Sequence, residues 1–466
     1  MDVVISPGPL NGTVDAIPSK SQAHRALICA SLADAPTHID CASESADIAA
    51  TAACLNALGA EILSEPGGYR ARPLEPLRYP EHTCEQGGHH DDSPGQEQGE
   101  PVVLLPCGES GSTFRIMLPI IGALGRGAAF MLEGRLPERP ISPLYEELVR
   151  HGCKLSRQGA VPFHVSGKLT PGTYTLDAGV SSQFVSGLLF ALPLLEGDSE
   201  LLLSGSVESF PYIELTMAMQ ETFGVETLLC DGDGGYGNRD DNDDGSNSGD
   251  DASGMVFSIP GGQAYRSPGR MRVEGDWSNA AFWLSAGAVA GGPVTCVGLD
   301  PRSRQGDKAI VGILKRFGAR CDINGDAVTV SGGEMRGIEI DARDIPDLVP
   351  ILAVVGAAAE GTTVINNAGR LRGKESDRLA AVSSVLRGLG ADVQETEDGL
   401  LIKGGAPLAG GNASSWGDHR IAMSAAIAAA ICAKPVTIHG AQAVRKSYPG
   451  FFKDLRALVT NVGTTQ

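Results

Sequence analysis

The stretch LRGLGADV (residues 386–393) decides the fold, because four other places in the chain repeat its pattern. They are LNALGAEI (55–62), LVRHGCKL (148–155), QETFGVET (220–227) and LKRFGARC (314–321), each a helical run stopped by glycine and followed by strand-like residues. Glycine suits that place because it enters the left-handed conformation that ends a helix without a Cβ clash. The five glycines, 59, 152, 224, 318 and 390, are 93, 72, 94 and 72 residues apart. Units of that length are too long for a solenoid repeat, so each reads as a small sheet-and-helix subdomain.

A second pattern precedes each of these helices. Apolar runs rich in Ala, Ser and Gly begin near residues 19 (SKSQAHRALICASLA), 110 (SGSTFRIMLPIIGAL), 181 (SSQFVSGLLFALPLL), 275 (GDWSNAAFWLSAGAV), 345 (IPDLVPILAVVGAAA) and 418 (DHRIAMSAAIAAAIC). A helix apolar nearly all round is a buried one, so six such helices predict an α/β fold turned inside out, with helices within and sheets outside. Six units divide into two lobes of three: residues 20–273 form one, and 274–466 with the N-terminal strand (1–19) form the other. The chain then crosses between lobes near Ser19 and Glu274, which are candidate hinges.

The chain has 466 residues, 42% hydrophobic, enough for well-filled cores. No signal segment or uncharged membrane-length run is evident, which predicts a cytoplasmic protein. Ten cysteines are scattered without a Cys-x-x-Cys pair, so they read as small buried hydrophobes. The formal charge of −19 disfavours nucleic acid, although much of it sits in two polar inserts, near 76–100 and 231–254. Both read as mobile solvated loops, and the chance histidines of the first (His82, His89, His90, with Cys84) as no metal site.

Against this acidic background, the starts of the buried helices are basic. They supply Lys20, Ser21 and Arg25; Glu109 to Arg115; Arg135 and Arg139; Ser181, Ser182 and Gln183; Asp347; Lys374, Glu375 and Arg378; Arg420; and Lys446. Helix N-termini attract anions, arginine binds carboxylate or phosphate in a fork, and carboxylates among cations serve as acid or base. Ser21, Ser112 and Ser181 have helix capping as an alternative role, as does Asp347. Asp377, one position from Arg378, reads as support. GESGSTFR lacks the Gly-Lys-Ser/Thr of a nucleotide loop. Converging between two lobes, these ends predict a pocket for a polyanionic small molecule.

PSKS (18–21), SSQF (181–184), KESDR (374–378), DHRIAM (418–423) and KSYPGF (446–451) together resemble the enolpyruvyl transferase family, in its order and approximate spacing, over nearly the whole chain outside the inserts. The resemblance implies two lobes of three subdomains. It also implies transfer of the enolpyruvyl group of phosphoenolpyruvate to the 5-hydroxyl of shikimate 3-phosphate, releasing phosphate, in a shikimate-pathway enzyme acting as a monomer without cofactor or metal. On it, Lys20, Ser21, Arg25, Ser181, Ser182, Gln183, Ser209, Asp347 and Lys374 bind shikimate 3-phosphate. Lys20, Gly111, Arg139, Gln183, Arg378, Arg420 and Lys446 bind phosphoenolpyruvate. Asp347, Glu375 and Lys20 carry catalysis, Asp347 beside the reacting hydroxyl and Glu375 handling the methylene proton. Four residues depart from the family pattern: Glu109 for asparagine, Ser112 for threonine, Ile116 for proline and Arg370 for asparagine. The sister branch, which uses a UDP-linked N-acetylglucosamine, carries a reactive loop cysteine where this chain has GRLPERP (134–140). A catalytically inactive binding protein on the same fold is the rival of another class, and the clustered charges argue against it.

Overall fold

The computed structural model describes residues 1–42, 45–74, 102–177, 179, 181–205, 207–230 and 254–459. The inserts near 76–100 and 231–254, and the readings made of them, lie outside the described residues but for Gly254.

Among the described residues, twelve α-helices alternate between two kinds. The first of each unit are α1 (Lys20–Leu32), α3 (Gly111–Leu124), α5 (Ser182–Ala191), α7 (Trp277–Val289), α9 (Val349–Ala358) and α11 (His419–Ala430). The second are α2 (Ala46–Ala57), α4 (Leu144–Arg150), α6 (Phe210–Thr222), α8 (Ile310–Phe317), α10 (Arg378–Gly388) and α12 (Phe451–Leu458). Every residue of α11, and all but the last of α7, is buried, as an all-round apolar helix requires. Gly59, Gly152, Gly224, Gly318 and Gly390 all have positive φ and stand where α2, α4, α6, α8 and α10 end. At Gly318 (φ 109°) an added Cβ would lie 2.2 Å from the Glu334 carbonyl oxygen, so the turn needs glycine on steric grounds as well.

Among the described residues six sheets lie outside the helices, five of four strands and one of three. Each four-stranded sheet repeats one plan: a parallel pair, then two antiparallel neighbours, as in Val103–Gly108, Ala128–Leu132, Phe163–Gly167 and Cys153–Leu155. Two leading strands are exchanged. Leu10–Asp15 runs parallel to Gly291–Val297, while Arg270–Arg272 runs parallel to Thr37–Asp40, so the chain's start serves the fourth unit and the strand before α7 serves the first.

Two separate apolar clusters result. One joins Leu10 and Val14 to buried residues from Trp277 to Leu458; the other runs from Ala23 to Val273. The crossing segments are bonded to each other, Ser19 N–H to the Glu274 carbonyl (2.8 Å) and Asp276 N–H to the Ile17 carbonyl (2.8 Å). The fold is thus a two-lobed inside-out α/β structure. Among the described residues no helix is long and apolar enough to cross a membrane, and seven of nine cysteines are buried.

Candidate active site

The N-terminal turns of α1, α5, α10 and α11 open on one cavity of about 300 Å³. In a chain of net charge −19, eight cationic side chains among the described residues line it, against two carboxylates, Asp347 and Glu375. Thirteen of the fifteen residues expected from sequence are in its wall; Gly111 and Lys446 are not. Gly111 lies directly behind Arg139, whose Nη1 would be 2.7 Å from a Cβ built there, so glycine gives that guanidinium its room.

Arg378, almost fully buried as the first residue of α10, organises the acids. Its Nε, Nη1 and Nη2 lie 2.8 Å from Asp418, Asp347 and Glu375 respectively. Arg420 takes the other oxygen of Asp347 at 2.6 Å, and Arg139 approaches Glu375 at 3.9 Å. Burial would raise the pKa of both carboxyls. The cations prevail: Arg420, Arg378 and Lys374 hold Asp347 below the usual carboxylate range, and Arg378 and Arg139 hold Glu375 well below it. The opposite balance holds at Lys374, where burial, with Arg370 and Arg378 adding repulsion, lowers the ammonium to about 7. For Lys20, burial is outweighed by Asp47, 2.7 Å away, and by Glu375, so it is raised and stays charged.

Capping separates the serines. Ser19, Ser110 and Ser181 are the N-caps of α1, α3 and α5, so Ser21 and Ser112 are free of that duty, while Ser181 combines it with a place in the cavity wall. Asp347 sits in a 3₁₀ turn, Pro346–Leu348, and its carboxylate serves the arginines rather than a helix end. Asp377 caps α10 and pairs with Arg372 (3.1 Å), so its role is structural, through a different arginine from the one expected.

Arg25 is less available than its sequence position implied. Thr216 Oγ1, the Ser21 carbonyl, Ser186 Oγ and the Tyr212 carbonyl accept four of its five N–H groups at 2.7–3.1 Å. Internal dipoles, rather than a bound anion, therefore satisfy most of this buried charge.

Several site features were not read from sequence. Tyr212 Oη reaches Asp347 Oδ2 (3.3 Å) and Asp307 Oδ2 (3.4 Å). Burial and the nearby Asp347 raise Asp307 to about 7. His419 lines the cavity, and burial lowers it to about 3, so it is neutral. Arg115 donates to Gln183 Oε1 (3.1 Å) while Gln183 Nε2 donates to Ser112 Oγ (2.9 Å), which fixes the orientation of that amide. Arg370 clasps the start of α6: its Nη2 donates to Ser209 Oγ and to the Arg343 carbonyl (2.7 Å), and its Nε lies 3.1 Å from Glu208. The basic character of Arg370 was visible in the sequence, but its partners Ser209 and Glu208, from a distant unit, were not.

Buried cations converging between two lobes, with two ionised carboxylates among them, make an enzyme site for anionic substrates with groups able to move protons. The same architecture occurs in an enolpyruvyl transferase from Streptomyces tendae, with a TM-score of 0.70 over 98% of this chain and 96% of that one, at 18% identity, which is a likeness of fold. EPSP synthase from Acinetobacter baumannii matches with a TM-score of 0.72 at 26% identity, over 98% of each chain. The family description EPSP synthase (3-phosphoshikimate 1-carboxyvinyltransferase) fits residues 4–228 and 249–455. The 3-phosphoshikimate 1-carboxyvinyltransferases of Clostridium kluyveri and Clostridium acetobutylicum are each 40% identical, over 98% of this chain and 97% of theirs. The chain belongs to the EPSP synthase family.

Proposed function

We propose that this chain transfers the enolpyruvyl group of phosphoenolpyruvate to the 5-hydroxyl of shikimate 3-phosphate, as a monomeric cytoplasmic enzyme needing no metal or organic cofactor. The observation that carries this reading is the pair Asp347 and Glu375, both ionised within one cavity among eight cations. Two anionic substrates need the cations, and two proton transfers need the carboxylates.

In the first step the acceptor hydroxyl attacks C2 of phosphoenolpyruvate and C3 gains a proton, giving a tetrahedral intermediate. In the second, C3 loses a proton and the C2–O bond to phosphate breaks, releasing phosphate. Asp347 accepts the hydroxyl proton in the first step and passes it on with the departing phosphate in the second, while Glu375 gives C3 its proton and takes one back. Glu375 is held ionised in the free chain by Arg378 and Arg139. A substrate anion that engages those arginines weakens their hold, so its pKa rises where it must act as an acid. Lys20, Ser21, Arg25, Ser181, Ser182, Gln183, Ser209 and Lys374 hold shikimate 3-phosphate, and Lys20, Gly111, Arg139, Gln183, Arg378, Arg420 and Lys446 hold phosphoenolpyruvate. The lobes, residues 1–19 with 274–466 and residues 20–273, close about the paired crossings at Ser19 and Glu274, where the backbone hydrogen bonds lie.

The test is phosphate release from phosphoenolpyruvate with shikimate 3-phosphate as acceptor, run beside a UDP-linked N-acetylglucosamine. Release with the first alone is expected. No release with it sinks the proposal.

A further inference from the structure

Lys446 is the one cation proposed for phosphoenolpyruvate whose side chain lies outside the main cavity. Its Nζ is ion-paired instead with Glu109 Oε2, and among the described residues Glu109 is the one carboxylate within ion-pair reach of it. The partners come from different lobes: Glu109 precedes α3, and Lys446 ends the 3₁₀ turn Ala441–Lys446. They meet in a side chamber of about 150 Å³ whose wall shares Arg139 and Glu375 with the main cavity. Room for the carboxylate depends on Gly134 (φ 56°), since a Cβ there would lie 2.5 Å from Glu109 Oε1.

The Glu109 side chain is 43% exposed and that of Lys446 18% exposed. An ion pair at such a wet edge adds little to folding stability. Its consequence lies in binding, because an anion that takes Lys446 must first part it from Glu109, and the free energy of the pair is subtracted from that anion's affinity.

We infer that Glu109 is an internal competitor for Lys446, occupying the ammonium in the free chain and setting the affinity for phosphoenolpyruvate, whose own anionic group displaces it. This rests on the enolpyruvyl transfer proposed above. Glu109 thereby sets affinity without touching the reacting atoms.

The experiment compares E109Q, K446M and the double variant at saturating shikimate 3-phosphate, with thermal melts to establish folding and E109A as a second test of the same charge. E109Q should lower the KM for phosphoenolpyruvate by about two- to fivefold, the size of a half-exposed ion pair, with a smaller change in kcat. K446M should raise KM, and adding E109Q to it should give no further change. Trp416, 43% exposed in the same chamber while Trp277 and Trp283 are buried, supplies a fluorescence titration of phosphoenolpyruvate independent of turnover. An unchanged or higher KM in E109Q overturns the inference. So does an equal drop in the K446M background, which would mark a general field effect. A wild-type chain that releases no phosphate from the two substrates refutes the enolpyruvyl reading instead, so the two failures are distinguishable.

Discussion

Arg420 Nη2 lies 2.6 Å from Asp347 Oδ2, and the partner oxygen of that carboxylate is held by Arg378 at 2.8 Å. A carboxylate so clamped is ionised and fixed in direction, the state a base needs before its substrate arrives. Asp347→Asn keeps the shape and loses the charge. Its kcat should fall by about 10²- to 10⁴-fold, the range for loss of a general base, with a much smaller change in the KM of either substrate. Steady-state kinetics in both substrates decides it. Losses confined to KM would make Asp347 a binding residue only.

Lys374 gives the site a pH dependence. With its ammonium lowered to about 7 by burial and by Arg370 and Arg378, against the attraction of Asp347 and Glu375, it is charged below that pH and neutral above it. On the proposed assignment of Lys374 to shikimate 3-phosphate, the substrate phosphate favours the charged form, so binding should take up a proton at higher pH. Since a phosphate monoester is already doubly ionised above pH 7, the KM for shikimate 3-phosphate should rise as pH increases from there, approaching about tenfold per unit. Lys374→Arg, which stays charged, should flatten that rise. A wild-type KM independent of pH above 7 would falsify this role.

The first helices and the glycine-stopped second helices were legible because each follows from local sterics and burial: a left-handed turn wants glycine, and an all-apolar helix wants a core. The cations of the site were legible for a related reason, since arginine and lysine at the starts of buried helices are conspicuous. Their partners were not. Tyr212 reaches Asp347 from 135 residues away, and Arg370 reaches Ser209 from 161. No local pattern encodes those meetings, which depend on how the lobes face each other. Ser21 and Ser112 show the same limit in reverse: capping was a fair expectation, and only the backbone path shows that Ser19 and Ser110 do it.

Arg370 ties the start of α6 to the facing lobe through Ser209, the Arg343 carbonyl and Glu208 at once. Arg370→Met leaves Ser209 without its donor and the half-buried Glu208 without its cation. The KM for shikimate 3-phosphate should rise more than that for phosphoenolpyruvate measured at saturating acceptor. Stability should drop by about 1–3 kcal/mol, the cost of unpaired polar groups. Arg370→Lys should recover only part of both, because one ammonium cannot reproduce a planar fork. Denaturation midpoints and paired KM measurements check this. A full rescue by lysine would show that charge alone matters.

Asp418 carries the burial argument furthest. Its carboxylate is wholly inaccessible, lies 2.8 Å from Arg378 Nε, and also caps α11 by accepting from the Arg420 N–H at 2.9 Å. Arg378 lowers its pKa against the effect of burial, so it stays ionised. Asp418→Ala removes one partner of a buried pair, and such losses cost about 3–5 kcal/mol. Asp347 and Glu375 still face the guanidinium, so the cost should fall at the lower end of that range. Urea unfolding measures it directly. Because Arg378 would also lose one of the three groups that aim it, the KM for phosphoenolpyruvate should rise in whatever fraction remains folded. A variant as stable as the wild type, with unchanged KM, would mean that Arg378 is held in place by the cavity acids alone.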